Sequence, residues 1–156
     1  MRGRQSGLTY IELIIAVMVL GILAAAALPV YRWDEKRRRE SHLRMTLESM
    51  RTAIDLYKKY SDEGMIIQTD VDQRGYPLDL EELVEGVDIG DPDSPEGIHI
   101  QFLRKIPKDP ITELEEWGLR SYQDDWDGTS WGGENVYDVY SLAPGRALDG
   151  TYYSEW

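Results

Sequence analysis

The chain has 156 residues, a formal net charge of -12, no cysteine and a hydrophobic fraction of 42%. That length fits one domain of ordinary size and excludes a TIM barrel or a two-domain dehydrogenase. The acidity argues against nucleic acid as a partner, because only a basic surface gains from counterion release. The lack of cysteine excludes disulfides, thiolate catalysis and cysteine-based zinc sites.

The charge is spread unevenly. Residues 1–7 carry Arg2 and Arg4 and no acid. Residues 13–31 are 19 consecutive positions with no charge and no strongly polar side chain. Residues 32–63 hold nine Lys/Arg against seven Asp/Glu, and residues 64–156 hold six against 21. The acidity therefore belongs to the C-terminal part. An uncharged stretch of this length predicts a membrane-spanning helix. At ~1.5 Å per residue it covers roughly 28 Å, close to the hydrocarbon core of a bilayer. A buried core helix is the competing reading, but a chain this small cannot wrap a helix that is apolar on every face. A cleaved secretory signal is another, with small residues at 24–27. Glu12 speaks against it, since it interrupts the apolar stretch near its start and a carboxylate in lipid is costly.

Gly7-Leu8-Thr9-Tyr10-Ile11-Glu12, preceded by a short basic segment and followed by the apolar run, resembles the signal of the type IV pilin and type II secretion pseudopilin superfamily. The resemblance implies a leader at 1–7, removed by a prepilin peptidase between Gly7 and Leu8, with the new Leu8 amine methylated. It implies a role in assembly for Glu12, whose carboxylate would pair with the Leu8 amine of a neighbouring subunit. Snorkelling of Glu12 to the interface is the alternative. The family's usual Phe after the cut is Leu8 here. A Pro near the end of the apolar stretch is also a family feature, and Pro29 stands there. Pro29 and Gly21 are the expected helix break, by loss of a hydrogen bond and by low helix propensity respectively. Arg2 and Arg4 favour a cytoplasmic N-terminus, whereas five basic residues between Arg32 and Arg39 favour the reverse. The resemblance decides for the N-terminus inside and the C-terminal part in the periplasm.

Beyond the apolar run, Leu43, Leu47, Met50, Ile54 and Tyr57 recur at spacings of four and three, which predicts one apolar stripe on an amphipathic helix. Tyr57 would bury its ring and point its hydroxyl outward. Gly64 is the expected stop. A single helix from about Leu8 to about Ser61 follows, comprising a membrane and filament-core segment at 8–31 and an amphipathic continuation at 32–63. A coiled-coil dimer is the rival, but about two heptads of stripe are short for one.

Residues 64–156 read as a periplasmic α+β head. Asp79 with Glu82 before Leu83 and Val84 predicts a capped helix. Ile98, Ile100 and Phe102 alternate with polar residues, and 117–122 and 136–142 are two further strand candidates, so three short antiparallel strands against the long helix are expected. The fold class is α+β and pilin-like, a long N-terminal hydrophobic helix packed on a small antiparallel sheet. Tyr76-Pro77, the segment 104–110 and the segment 136–141 resemble the major-pseudopilin (protein G) branch; the stretch 124–133 departs from it. That branch commonly orders its C-terminal loop with calcium. The resemblance implies Ser141, the Leu142 carbonyl and Asp149 as ligands, although Ala143-Pro144-Gly145 departs from the family pattern and calcium wants six to eight oxygens. Asp124, Asp125 and Asp127 beside Gly128 form a second acidic cluster, a fragment of a calcium-loop pattern. The nine aromatic residues from Trp117 onward are expected to fill the core and pack loops.

Catalysis has little support. His42 and His99 have no linked nucleophile, and no nucleophile elbow, zinc-protease pair or phosphate-binding glycine loop is present. The resemblance implies a structural subunit of the type II secretion pseudopilus. Its expected partners are its own copies, minor pseudopilins, the prepilin peptidase, the inner-membrane assembly platform and the membrane. A type IV pilin of a surface fibre is the alternative within the superfamily. A monomeric membrane-anchored periplasmic binding protein or enzyme is the alternative from another class.

Overall fold

The structure is a computed structural model that describes residues 9–67, 71–90, 97–125, 128 and 130–156, with 26–30 described as helix backbone. The predicted cut at Gly7 and Leu8 lies outside the described residues. The chain separates into two compact units, Met1–Arg38 and Arg39–Trp156.

One helix, α1 (Tyr10–Asp62, 53 residues), contributes to both. It starts where Thr9 can cap it: the Glu12 N–H reaches the Thr9 hydroxyl at 3.4 Å, and the Leu13 N–H donates to the Thr9 carbonyl at 3.1 Å. This is one half of a capping box, a signal present in Thr9-x-x-Glu12. Gly21 and Pro29 both lie inside α1, so neither ends the helix. Among the described residues no helix is long and apolar enough to cross a membrane. The side chains of 26–30, part of the uncharged run, fall outside that description.

α1 ends as its sequence dictates. Gly64 adopts φ +74°, its N–H donates to the Ser61 carbonyl at 2.9 Å, and the Met65 N–H donates to Tyr60 at 3.0 Å. This pair of bonds is a Schellman closure, which favours glycine at the left-handed position.

In the second unit the predicted stripe is the core. Leu43, Leu47, Met50, Ile54 and Tyr57 are all buried, together with Leu83, Trp117, Val136, Val139 and Tyr153. Each such side chain contributes about 1.5–3 kcal/mol by leaving water. Tyr57 differs from expectation, because its hydroxyl meets protein, not solvent, and donates to Glu82 Oε1 at 2.7 Å. Glu82 lies in α2 (Leu80–Glu85). Asp79 caps this helix through the Glu82 N–H at 2.8 Å, and Glu82 Oε2 accepts the Leu78 N–H at 2.7 Å. The predicted cap is thus present, with its reciprocal bond shifted one residue upstream.

The sheet differs from the three strands expected. Four strands form two separate antiparallel pairs: β1 (Val87–Ile89) with β2 (Ile98–Ile100), and β3 (Gly118–Arg120) with β4 (Asp138–Tyr140). β1 went unpredicted because three residues directly after a helix give no period-two signal. On β2 the outer end is open, with Ile98 exposed and Ile100 partly covered. Phe102 lies beyond it and packs its ring 5.3 Å from that of Tyr57. In the second pair, Gly118 stands opposite Tyr140, and a Cβ there would meet the Tyr140 ring at 2.2 Å. Tyr140 is itself buried and cannot swing away. Gly118→Ala is therefore expected to destabilise by ~1–3 kcal/mol through overpacking, read as a lowered thermal midpoint with the helical CD retained.

Candidate functional site

Two regions concentrate the predicted site residues. The first is the start of α1. Tyr10, Ile11, Leu13, Ile14, Ile15, Val17, Met18, Val19, Leu20, Ile22 and Leu23 are all exposed. They occupy consecutive turns and so surround the helix instead of forming a stripe. Exposed apolar surface of this extent marks an interaction with lipid or protein. Glu12 lies in the first turn, exposed, and its carboxyl group has no partner among the described residues. Its position near a helix N-terminus is electrostatically favourable for a carboxylate. The geometry thus leaves Glu12 available for a partner outside its own chain. Leu8, the residue predicted to supply that partner's amine, lies outside the described residues.

The second region is the C-terminal segment that follows β4 and packs against α1 within the second unit. Glu40, buried on α1, accepts the Leu148 N–H and the Tyr153 hydroxyl, both at 2.9 Å. Burial, then the bond to Glu40, pushes the Tyr153 hydroxyl up to about 12. Arg44 donates to Asp149 Oδ2 at 2.8 Å and stacks 3.8 Å from the Trp156 ring centre. Asp149 Oδ1 accepts the Thr151 N–H at 3.0 Å and the Thr151 hydroxyl at 2.6 Å. The two Thr151 bonds, with Arg44 adding to them, hold the Asp149 carboxyl below its ordinary range. Arg51 spans Asp138 Oδ1 at 2.6 Å, the Val139 carbonyl at 3.0 Å and the Trp156 main-chain oxygen at 2.6 Å. Arg120 approaches Asp138 from the other side at 3.4 Å and donates to the Ser154 carbonyl at 2.9 Å.

The three residues predicted to hold calcium do not act as a set. Ser141 is fully buried, donates to Asp109 Oδ2 and accepts the Ala143 N–H at 3.0 Å. Leu142 is half exposed. Asp149 is bound to an arginine. One carboxylate beside a guanidinium does not suit an ion that prefers six to eight oxygens. In the other acidic cluster, Asp124 Oδ2 accepts the Ser121 N–H at 2.7 Å and the Gly132 N–H at 3.2 Å, so it closes a turn. Asp127 lies outside the described residues. Among the described residues no three acidic or histidine side chains gather as a metal site.

Asp109 was missed by the sequence reading, although the segment 104–110 drew attention. It is fully buried and its Oδ1 accepts the Ile111 N–H at 2.7 Å and the Thr112 N–H at 3.4 Å. The Asp-Pro dipeptide was a turn signal, but nothing in the spacing pointed to Ser141. Of the aromatic residues from Trp117 onward, Trp117, Tyr140 and Tyr153 are buried, whereas Tyr122, Trp131, Tyr137 and Tyr152 are exposed; Tyr122 and Tyr137 cluster with Tyr76, ring centres 5.3–5.9 Å apart. A cleft of 610 Å³ runs along α1 beside the C-terminal segment, bordered by Arg44, Arg51, Asp55, Glu155 and Trp156. Arg44 and Arg51 are committed to structural partners on its wall.

The chain is similar to proteins of bacterial secretion and fimbrial systems. The type II secretion system core protein G of Pseudomonas aeruginosa is 30% identical over 144 residues, covering 90% of this chain and 84% of the relative. The protein of the same name from Klebsiella pneumoniae is 26% identical, over 90% of this chain and 86% of the relative. A type IV major fimbrial protein FimA of Dichelobacter nodosus is 42% identical over 69 residues, 42% of this chain and 43% of the relative. No family model matches, and no solved structure does.

Proposed function

The chain belongs to the pilin and pseudopilin superfamily, in the family of the type II secretion system core protein G, and from that premise we propose that it is a structural subunit of the pseudopilus. On this reading it is made as a precursor anchored in the inner membrane, with its N-terminus in the cytoplasm and its head in the periplasm. A prepilin peptidase cuts between Gly7 and Leu8 and the Leu8 amine is methylated. Copies then polymerise on an inner-membrane platform with minor pseudopilins, and the growing filament drives export across the outer membrane. The protein is not an enzyme.

The observation that carries this reading is the start of α1. Apolar side chains are exposed on every face, and a lone carboxylate at Glu12 has no partner among the described residues. Such a segment needs lipid before assembly and neighbouring stems after it. The head meanwhile has its own buried core. A surface-fibre pilin is the second reading, favoured by the fimbrial relatives, but these align over less than half of their length. The core protein G relatives align over most of theirs. A monomeric anchored binding protein or enzyme explains the apolar helix and leaves Glu12 without a purpose.

N-terminal mass analysis of the membrane-extracted protein tests the proposal. The expected species begins at Leu8 and carries one methyl group on its amine. A protein that still begins at Met1 in cells with an active prepilin peptidase overturns it.

A further inference from the structure

We propose that the C-terminal loop of this protein is ordered by a guanidinium in place of a metal, with Arg44 standing where a calcium ion was expected, so that the head folds without calcium. The side-chain oxygens of the predicted ligand set are already in use. Asp149 Oδ2 faces Arg44 at 2.8 Å, and Oδ1 is held by both hydrogen-bond donors of Thr151. The Ser141 hydroxyl is turned inward to Asp109 and the Ala143 N–H, in a place with no exposed surface. The Gly150 carbonyl accepts from Arg146 at 2.8 Å.

A divalent ion on Asp149 would stand against the Arg44 charge, and the two cannot share one carboxylate without mutual repulsion. Arg44 supplies what an ion does not. Its planar fork bonds the loop while its face lies on Trp156, so one side chain from α1 fixes two points of the C-terminal segment. The pair is partly exposed, with side chains 60% and 47% accessible, so it is not strong alone. It acts with Glu40, one helical turn earlier, which holds Leu148 and Tyr153. Together the two residues clamp the loop at 148, 149, 153 and 156 with groups that belong to the chain.

Thermal unfolding of the full-length protein in detergent, followed by tryptophan fluorescence and near-ultraviolet CD, tests this. The expected midpoint is the same after chelation and in millimolar calcium, since an ion that binds only the native state would raise it. Arg44→Gln is expected to lower the midpoint by the same amount in both conditions, and Arg44→Lys to restore part of the loss. A midpoint that falls on chelation, or rises with added calcium, overturns the proposal. So does an Arg44→Gln variant that melts like the parent. Titration calorimetry with calcium chloride gives an independent reading: no saturable heat is expected, and a stoichiometric binding isotherm abolished by Asp149→Asn sinks the idea.

Discussion

Glu12→Ala is expected to give a chain that is still cut after Gly7 and still inserts in the membrane, yet fails to polymerise. A carboxylate held in lipid without a partner costs up to about 2.5–3.5 kcal/mol at the membrane centre, and less near the helix start where Glu12 lies. In the proposed filament the same group accepts a charge-assisted bond from a neighbour's Leu8 amine, and such a bond contributes about 1.5–3 kcal/mol. The free subunit is therefore uncomfortable in lipid and the assembled one is not. Alanine removes the discomfort and the bond together, so the difference that favours assembly is lost. A loss of about 1.5–3 kcal/mol per contact corresponds to roughly a 10- to 150-fold weaker association. Repeated at each subunit, that is enough to suppress filaments. Sheared-filament yield and secretion of a reporter substrate should both fall to background, while the mass of the processed subunit stays that of a chain starting at Leu8. Glu12→Gln keeps the shape but not the charge and should behave almost as badly. Gly7→Glu should block the earlier step, leaving the leader attached. Normal filaments from Glu12→Ala would mean that the exposed carboxylate of the first turn has no assembly role.

The stem of this protein is readable because its information is local. The spacing of Leu43, Leu47, Met50, Ile54 and Tyr57 defines one face of a helix, and that face is the core. The Asp79–Glu82 pair and Gly64 mark helix ends through bonds that span three to five residues. Glu12 stood out because a charge in an apolar run is costly whatever surrounds it. The head is harder because its bonds are distant. The strands are three residues each, too short for alternation to register, and their pairing as two hairpins depends on what packs beneath them. Arg44 meets Asp149 across 105 positions and Glu40 meets Tyr153 across 113. Arginines on the polar faces of a helix are mostly solvated and carry no sequence signal of a distant partner. Only the fold reveals that Arg44 and Arg51 reach the C-terminal segment. The partners of Asp149 and Ser141, the expected calcium ligands, were hidden for the same reason, since a ligand's type can be read from a sequence and its existing partners cannot.

Asp109→Ala is expected to cost the head about 3–5 kcal/mol, in the range seen when a buried polar network loses its centre. The Asp109 carboxyl is fully buried and is the common acceptor for the Ile111 N–H, the Thr112 N–H and the Ser141 hydroxyl. Alanine leaves these donors without an acceptor, and each buried unsatisfied donor costs about 1–3 kcal/mol. It also releases the turn at 109–114, where the Asp109 N–H donates to the Leu114 carbonyl and Glu113 is held at φ +64°. That turn precedes Trp117, whose indole N–H is fixed to the Pro107 carbonyl at 2.9 Å and whose ring belongs to the core. The damage therefore spreads from one carboxyl group to the seating of β3 and, through Ser141, to the end of β4. A domain of this size is stable by about 5–15 kcal/mol in all, so the variant should melt more than ~10 °C lower. Asp109→Asn retains one oxygen acceptor and should lose less, and Ser141→Ala, which removes a single partner, less again. The order of the three midpoints is the sharper test. If Asp109→Ala melted within a degree or two of the parent, or above Ser141→Ala, the carboxyl group would not be the centre that joins these segments.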